Sequence, residues 1–520
     1  MAEPLVPPRL TSARLAEAQK ALESAIGTSR VFFTELDRTS YEDKFAIDDS
    51  RHLPGGAISP ETVEEVQAAI RVANQYKLPV WPISRGKNLG YGGSAPLLSG
   101  SVVMDLSRMK KIEFDEQFGV VTLEPGVGFY DLYDYIQANN LPFWLSTPGN
   151  SWGSVIGNAL DRGVGYTPYG ENTKNLCGLE VVLPTGEVIR TGMGAFSNAP
   201  TWGTYPFGYG PSWDQMFVQS NFGVVTKANM WLMPEPESLM GMDVEFDRPE
   251  DLKALVDVIG PLRRERVLTQ SPSIGNWLRA AAVLTTRDEW TDQPGALSDS
   301  VIDAIRKRFG IGWWGVSLRL YGREEINKAA YKVLEDAMKA INPMAIKPTS
   351  WVKGQPMEYS GWTGTPITFP MQNVNWYGGR GGHIGFSPII PQDGDAALAQ
   401  FRRTYARYRE YGVDYQGSFA FGERHLTNVN AMIFDKDSPE MMAKIDRFFR
   451  QLVADAKEQG YGEYRTHLDY MDHVADTYDW NGGALRKLNE TVKDALDPNG
   501  ILAPGKSGIW PKDLRRERGQ

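Results

Sequence analysis

The chain has 520 residues, 42% of them hydrophobic and 23% charged, so it is long enough for two or more domains of ordinary globular composition. A net charge of −9 argues against nucleic-acid binding and against an anionic membrane surface, because both need clustered Lys and Arg. A single cysteine, Cys177, excludes an intrachain disulfide.

The first residues, MAEPLVPPRLTSARLAEAQ, lack a basic leader followed by an apolar core, and no apolar run reaches membrane-spanning length. A cytoplasmic enzyme is the expectation. Residues 11–26 read as an amphipathic helix started by Thr11 or Ser12. Ser59-Pro60 reads as the start of a second helix, with Val63, Val66, Ile70 and Ala73 on one face. A strand (78–84), a glycine-rich loop (85–97) and a strand (101–106) follow, then VVTLEPGV and a helix, FYDLYDYIQANN.

The next stretch, Pro148 to Gly170, organises the chain: PGNSWGSVIGNALDRGVGYTPYG carries six glycines in 23 residues. Glycine permits close approach of a ligand to the backbone, and bare N–H groups in successive turns form nests for phosphate oxygens. Alone, such a stretch is equally a surface loop. A second one, PISRGKNLGYGGSAP over 82–96, makes the pair read as a cofactor cradle. LEVVLPTGEVIRT is a hairpin with Thr185-Gly186 at its tip, and GVVTKANMWLMP is a strand ending near Pro234.

Beyond Pro234 one pattern of strand, turn and helix recurs four times. It appears as MDVEFDRPEDLKALVDVIGPL, VSLRLYGREEINKAAYKVLEDAMKAI, HIGFSPIIPQDGDAALAQFRRTYARYREYG and AMIFDKDSPEMMAKIDRFFRQLVADAKEQG. This predicts an α+β unit, one antiparallel sheet with helices on one face. Two motifs are refused. GILAPGKS (500–507) spells the phosphate-binding loop, but prolines interrupt it and no helix can follow; GIGWWG (310–315) spells the dinucleotide fingerprint but lies between a helix and a strand, the wrong order.

The two glycine-rich stretches, with LEVVLPTGEVIRTGMGA, QSNFGVVTK, GGHIGFSP, YGEYRTH and DPNGILAPGKSGI, resemble the vanillyl-alcohol oxidase and p-cresol methylhydroxylase family of flavoproteins. The matches run in order over nearly the whole chain. The resemblance implies an α+β fold of two domains: a discontinuous FAD-binding domain over 1–236 and 463–520, and a cap (substrate) domain over 237–462. It implies FAD held by Ser84, Gly86, Lys87, Asn88, Gly90 and Gly92 on the first loop. Pro148, Gly149, Gly153, Ser154, Gly157, Asn158, Gly163 and Tyr166 would hold it on the second, with Gly223, Val225 and Lys506 elsewhere.

His383 is one of five histidines, and a lone histidine is more often structural than reactive. It falls, however, where the family's oxidases join FAD covalently through an 8α-histidyl bond. The methylhydroxylase branch uses a tyrosine slightly upstream, where this chain has Val374-Asn375-Trp376. Tyr91, Tyr464 and Arg465 match the trio that holds a phenolic oxygen as its anion. The chemistry is sound, since a fixed guanidinium and two hydroxyl donors favour a phenolate. The activity implied is hydride transfer from a para-substituted phenol to flavin N5 through a p-quinone methide. Oxygen is the acceptor expected, a cytochrome the alternative; a homodimer and no metal are also expected.

The family's aspartate near N5 is Gly149 here, its glutamate on the opposite wall is Ser418, and its Met-His-His is Leu426-Thr427-Asn428. With Arg424 these positions form the expected substrate pocket, which should be roomier and more neutral than the family's.

Overall fold

In the computed structural model, which describes residues 5–517, the first helix runs over Ser12–Ile26 and the Thr11 hydroxyl accepts the Arg14 amide. Its buried Leu15, Ala18, Leu22 and Ile26 share a core with the second helix, Val63–Tyr76. That helix is capped by Thr62 rather than Ser59. Thr62 Oγ1 accepts the Glu65 amide at 3.2 Å, whereas Ser59 Oγ donates to the Asp105 carbonyl at 3.1 Å. The serine is used to tie the loop to a strand, so the cap falls three residues later.

The strands flanking the first glycine loop, Val80–Ile83 and Val102–Asp105, pair in parallel, with Gly56–Ile58 on the other side of Val102–Asp105. Parallel neighbours need a crossover, usually a helix. Here the glycine-rich segment between them makes the crossover without one, which leaves its backbone available to line a cavity. A second, five-stranded antiparallel sheet has Val224–Trp231 at its centre, between Val120–Leu123 and Leu176–Val182. The hairpin from Leu176–Val182 to Val188–Arg190 turns on Gly186, at φ 87°.

The strands of the four recurrent units join three others in one eight-stranded antiparallel sheet. Its order is Ala345–Val352, Ser238–Phe246, Trp314–Gly322, Ser273–Asn276, Gln416–Phe421, His425–Asp435 and Gly381–Phe386, with Ile389–Pro391 also pairing to His425–Asp435. The helices Asp251–Arg264, Glu324–Ala340, Gly394–Tyr411 and Pro439–Glu458 pack together against it around one apolar core. Strand side chains alternate between faces, and the consequence here is functional. Ile274, Ile384 and Phe419 enter that core, while Ser273, His383 and Ser418 beside them wall a cavity on the other face.

Both refused motifs fold as turns. Gly310, at φ 65°, caps the helix Asp299–Phe309 ahead of the strand Trp314–Gly322. In GILAPGKS the amides that a phosphate would need are already taken. The Asp497 carboxylate accepts Ile501 and Leu502 N–H at 3.0 and 2.9 Å, and Lys493 pairs with Asp497 at 2.8 Å. Among the described residues no helix is long and apolar enough to cross a membrane.

Candidate active site

The two glycine-rich stretches meet. Asn150 donates to the Lys87 carbonyl at 2.9 Å, and Asn88 donates to the Asp161 carboxylate at 3.1 Å. Gly157 lets the short helix Val155–Leu160 press on the first loop, since a Cβ there would stand 2.3 Å from Ser84 Oγ. Between these loops, the five-stranded sheet and the open face of the large sheet lies a cavity of about 1020 Å³. That is at the upper end of the roughly 300–1,000 Å³ usual for small-molecule sites.

Most of the residues predicted from sequence line this cavity. Ser84, Gly86, Lys87, Asn88 and Gly92 come from the first loop; Pro148, Gly149, Gly153, Ser154, Gly157, Asn158, Gly163 and Tyr166 come from the second. Gly223, Val225, Lys506, His383, Tyr91, Tyr464, Arg465 and Ser418 complete the set. Gly90 does not line it. It sits behind His383, where a Cβ would stand 2.7 Å from Nε2, and its φ of 83° favours glycine in any case.

Arg424 is a correction. Its side chain is exposed and donates to the Glu423 carbonyl, outside the cavity wall. The physical reason is the turn into the strand His425–Asp435, where the Gly422 amide bonds the His425 carbonyl and the two residues between, Glu423 and Arg424, are turned outward. His425 itself lines the cavity instead.

His383 reaches the cavity from the strand Gly381–Phe386, packed edge-to-face against Phe45 with the ring centroids 5.3 Å apart. Burial pushes its imidazole down to about 4, against the pull of the Asp43 carboxylate. It is therefore neutral at physiological pH, and its buried Nδ1 has no hydrogen-bond partner.

Arg465 stands with its guanidinium 4.1 Å from the Tyr91 ring and 5.5 Å from the Tyr464 ring. Gly385 makes room for this group, because a Cβ there would be 2.6 Å from the Tyr91 hydroxyl. Burial works against the charge on Arg465, but Tyr464, Tyr91 and Asp161 outweigh it and raise its pKa. Its Nη1 donates to the Asp161 carbonyl at 3.4 Å, yet its buried Nε has no acceptor. Burial raises the Tyr464 hydroxyl above the ordinary tyrosine range, Arg465 opposing, so it remains a donor at neutral pH. The backbone here is fixed from both sides. Gln219 donates to the Tyr464 carbonyl at 3.0 Å, and the buried Glu463 carboxylate accepts the Ser387 amide at 2.7 Å.

The remaining wall departs from a neutral pocket. Arg279, on the short helix Trp277–Ala281, donates to Ser418 Oγ at 2.7 Å and faces the cavity. The residue is exposed to the cavity, the protein around it lowers its pKa with the Tyr166 hydroxyl opposing, and the guanidinium stays charged. Sequence reading missed Arg279 and also Asp161, which lies 3.6 Å from Lys506 and 3.9 Å from Arg465. Asp161 lies inside the second glycine-rich stretch, whose glycines drew the attention, whereas Arg279 carries no local pattern and gains its place only beside Ser418 of a distant strand.

This donor set fits a flavin dinucleotide: two glycine-rich backbones brought together, and an unpartnered neutral imidazole at the cavity wall. A family model described as FAD binding domain matches residues 54–192, and one described as FAD linked oxidases, C-terminal domain, matches 362–507. The chain is 36% identical to the 4-cresol dehydrogenase [hydroxylating] flavoprotein subunit of Pseudomonas putida, over 97% of this chain and 98% of that one. It superposes on the 4-ethylphenol oxidase from Gulosibacter chungangensis, in its isoeugenol complex, with a TM-score of 0.94 and 34% identity, covering 98% of this chain and 100% of that one. It superposes on p-cresol methylhydroxylase with substrate bound with a TM-score of 0.92 and 35% identity, covering 97% and 99%.

Proposed function

The chain belongs to the vanillyl-alcohol oxidase and p-cresol methylhydroxylase family of FAD-dependent oxidoreductases, and from that premise we propose that it oxidises para-substituted phenols. The relatives named for 4-cresol and 4-ethylphenol support that substrate class. The observation that carries the reading is Arg465, a charged guanidinium between two tyrosines with a buried N–H that lacks an acceptor.

In this reading the residues of the two glycine-rich loops, with Gly223, Val225 and Lys506, hold FAD, and His383 carries it covalently. The FAD-binding domain is 1–236 with 463–520, and 237–462 is the cap. When bound, FAD supplies the hydride acceptor. Arg465 and the hydroxyls of Tyr91 and Tyr464 hold the phenolic oxygen as its anion, which lowers the phenol's pKa by favouring the charged form. The anion pushes electron density to the para carbon, so hydride leaves the first carbon of the side chain and a p-quinone methide forms. Water then adds to it, or a proton is lost to give an alkene. With Gly149 and Ser418 in place of carboxylates, neither of those positions supplies the proton acceptor.

Oxygen is the acceptor in this reading, and the working unit is a homodimer. The likeness to a dehydrogenase subunit favours a second reading in which a cytochrome takes the electrons. A panel of 4-alkylphenols followed by oxygen consumption tests both. Stoichiometric oxygen uptake is expected. Substrate turnover with reoxidation over minutes in air, but within milliseconds with a cytochrome, would reverse the choice of acceptor, and no turnover of any phenol would end the reading.

Side-chain size gives a further expected result. Each methylene buried at about 0.8 kcal/mol raises kcat/KM roughly fourfold until the pocket is filled, so vanillyl alcohol is a poor substrate. A Cβ on Gly149 would stand 2.9 Å from the Tyr166 hydroxyl and 3.5 Å from Pro370, so a side chain there displaces the tyrosine tip. Gly149→Asp should therefore lower kcat/KM for bulky substrates and shift preference toward vanillyl alcohol. Finding vanillyl alcohol the best substrate of the wild-type enzyme would contradict this.

A further inference from the structure

The charges around the cavity are unevenly matched. Lys506 and Arg465 share Asp161, and Lys174 takes Glu171 at 2.7 Å. Lys87 and Arg162 also line the cavity, but they stand on the glycine-rich stretches that would cradle FAD. Arg279 is on the other wall, beside Ser418 of the large sheet. Among the described residues no carboxylate lies within ion-pair distance of it, and Ser418 Oγ is the one acceptor its five N–H donors find. The residue is exposed, opening onto the cavity, so a ligand entering there meets a cation with no counter-charge on the protein. Tyr166 is the one titratable group that acts on it.

The surroundings are arranged to keep this fork in place and open. Gly275 leaves space beside it, since a Cβ there would stand 3.1 Å from Arg279 Cδ. Tyr166 is held by an edge-on contact with Trp362 at 4.8 Å, and its hydroxyl is the group nearest a Cβ at Gly149. Carboxylates at 149 or on the 418 wall would be natural partners for Arg279, and both are missing. A guanidinium fork with a neighbouring hydroxyl matches an incoming carboxylate, which accepts two parallel N–H bonds.

We propose that Arg279 recognises a carboxylate at the far end of the substrate's para side chain, so that the preferred substrates are 4-hydroxyphenyl alkanoic or alkenoic acids. This rests on the phenol-oxidising reading above and narrows its substrate class. The phenolic end engages Tyr91, Tyr464 and Arg465, and the acid end engages Arg279 beside Ser418 and Tyr166.

The test compares 3-(4-hydroxyphenyl)propanoate, its methyl ester and 4-propylphenol on the holoenzyme. The acid is expected to exceed the ester in kcat/KM by about tenfold to a hundredfold, the scale of charge-assisted hydrogen bonds. Arg279→Gln should collapse that ratio, and Arg279→Lys should keep part of it. Calorimetric titration with 3-phenylpropanoate, which has no phenol and cannot react, should detect binding to the wild type and none to Arg279→Gln. If the ester and 4-propylphenol are oxidised and the acid is the poorest of the three, the proposal falls while phenol oxidation stands. If none of the three is oxidised, the underlying reading falls with it. A wild-type ratio near one, with flavin lost from Arg279→Gln, would assign Arg279 to the cofactor and overturn the proposal.

Discussion

Arg465→Ala is expected to remove nearly all turnover of para-substituted phenols, the largest effect of any single substitution in this site. The phenolate needs a fixed positive charge, and the other cation beside this group, Lys506, lies against Asp161 at 3.6 Å. Tyr91→Phe and Tyr464→Phe should each cost less. A hydrogen bond to a charged group contributes roughly 1.5–3 kcal/mol, or about ten- to a hundredfold in rate. Arg465→Ala removes the charge as well as its donors and should exceed either. The two tyrosines also stack on the guanidinium, so their phenylalanine variants keep the ring and isolate the hydroxyl. Single-turnover rates measured anaerobically would check this. An Arg465→Ala enzyme with wild-type rates would remove the phenolate site from the account.

The second large effect concerns His383. A neutral imidazole is the nucleophilic form, and burial makes it so well above pH 4, its pKa being near that value. Its Nδ1 has no competing hydrogen bond, and Gly90 and Phe45 enclose the ring. Wild-type protein precipitated with acid should stay yellow, and the flavin mass should appear on the peptide containing His383. His383→Ala should release all of its flavin on the same treatment, with a lowered redox potential and slower reduction by substrate. Flavin found wholly in the acid supernatant of the wild type would contradict the covalent link.

The parts of the fold that were legible in the sequence are those fixed by local chemistry. The recurrence of strand, acidic or proline turn and helix gave four strand–helix units of the large sheet, but not its strands Ser273–Asn276, Ala345–Val352 and Gln416–Phe421. Thr185-Gly186 gave its hairpin because glycine alone is at ease at the positive φ that turn requires. The second helix started later than its Ser-Pro signal because Ser59 bonds Asp105, a partner 46 residues away that no local pattern reveals. The same limit applies to the site. The glycine-rich loops announced a cradle, but Arg279 lies in WLRAA, an unremarked turn of helix. It acquires meaning only when the strand Gln416–Phe421 lays Ser418 beside it. Arg424 failed in the opposite sense: it sits close in sequence to cavity residues, and the turn at Gly422 sends it outward. The expected neutrality of the pocket failed with it, because counting missing carboxylates does not count a cation supplied from elsewhere.

The central claim is that the site oxidises a phenol as its anion. The measurement that tests it most directly mixes the enzyme anaerobically with a 4-alkylphenol and, separately, with its methyl ether, while the flavin absorbance is followed. Rapid bleaching is expected with the phenol and none with the ether, which cannot form a phenolate. Equal bleaching by the two would contradict it.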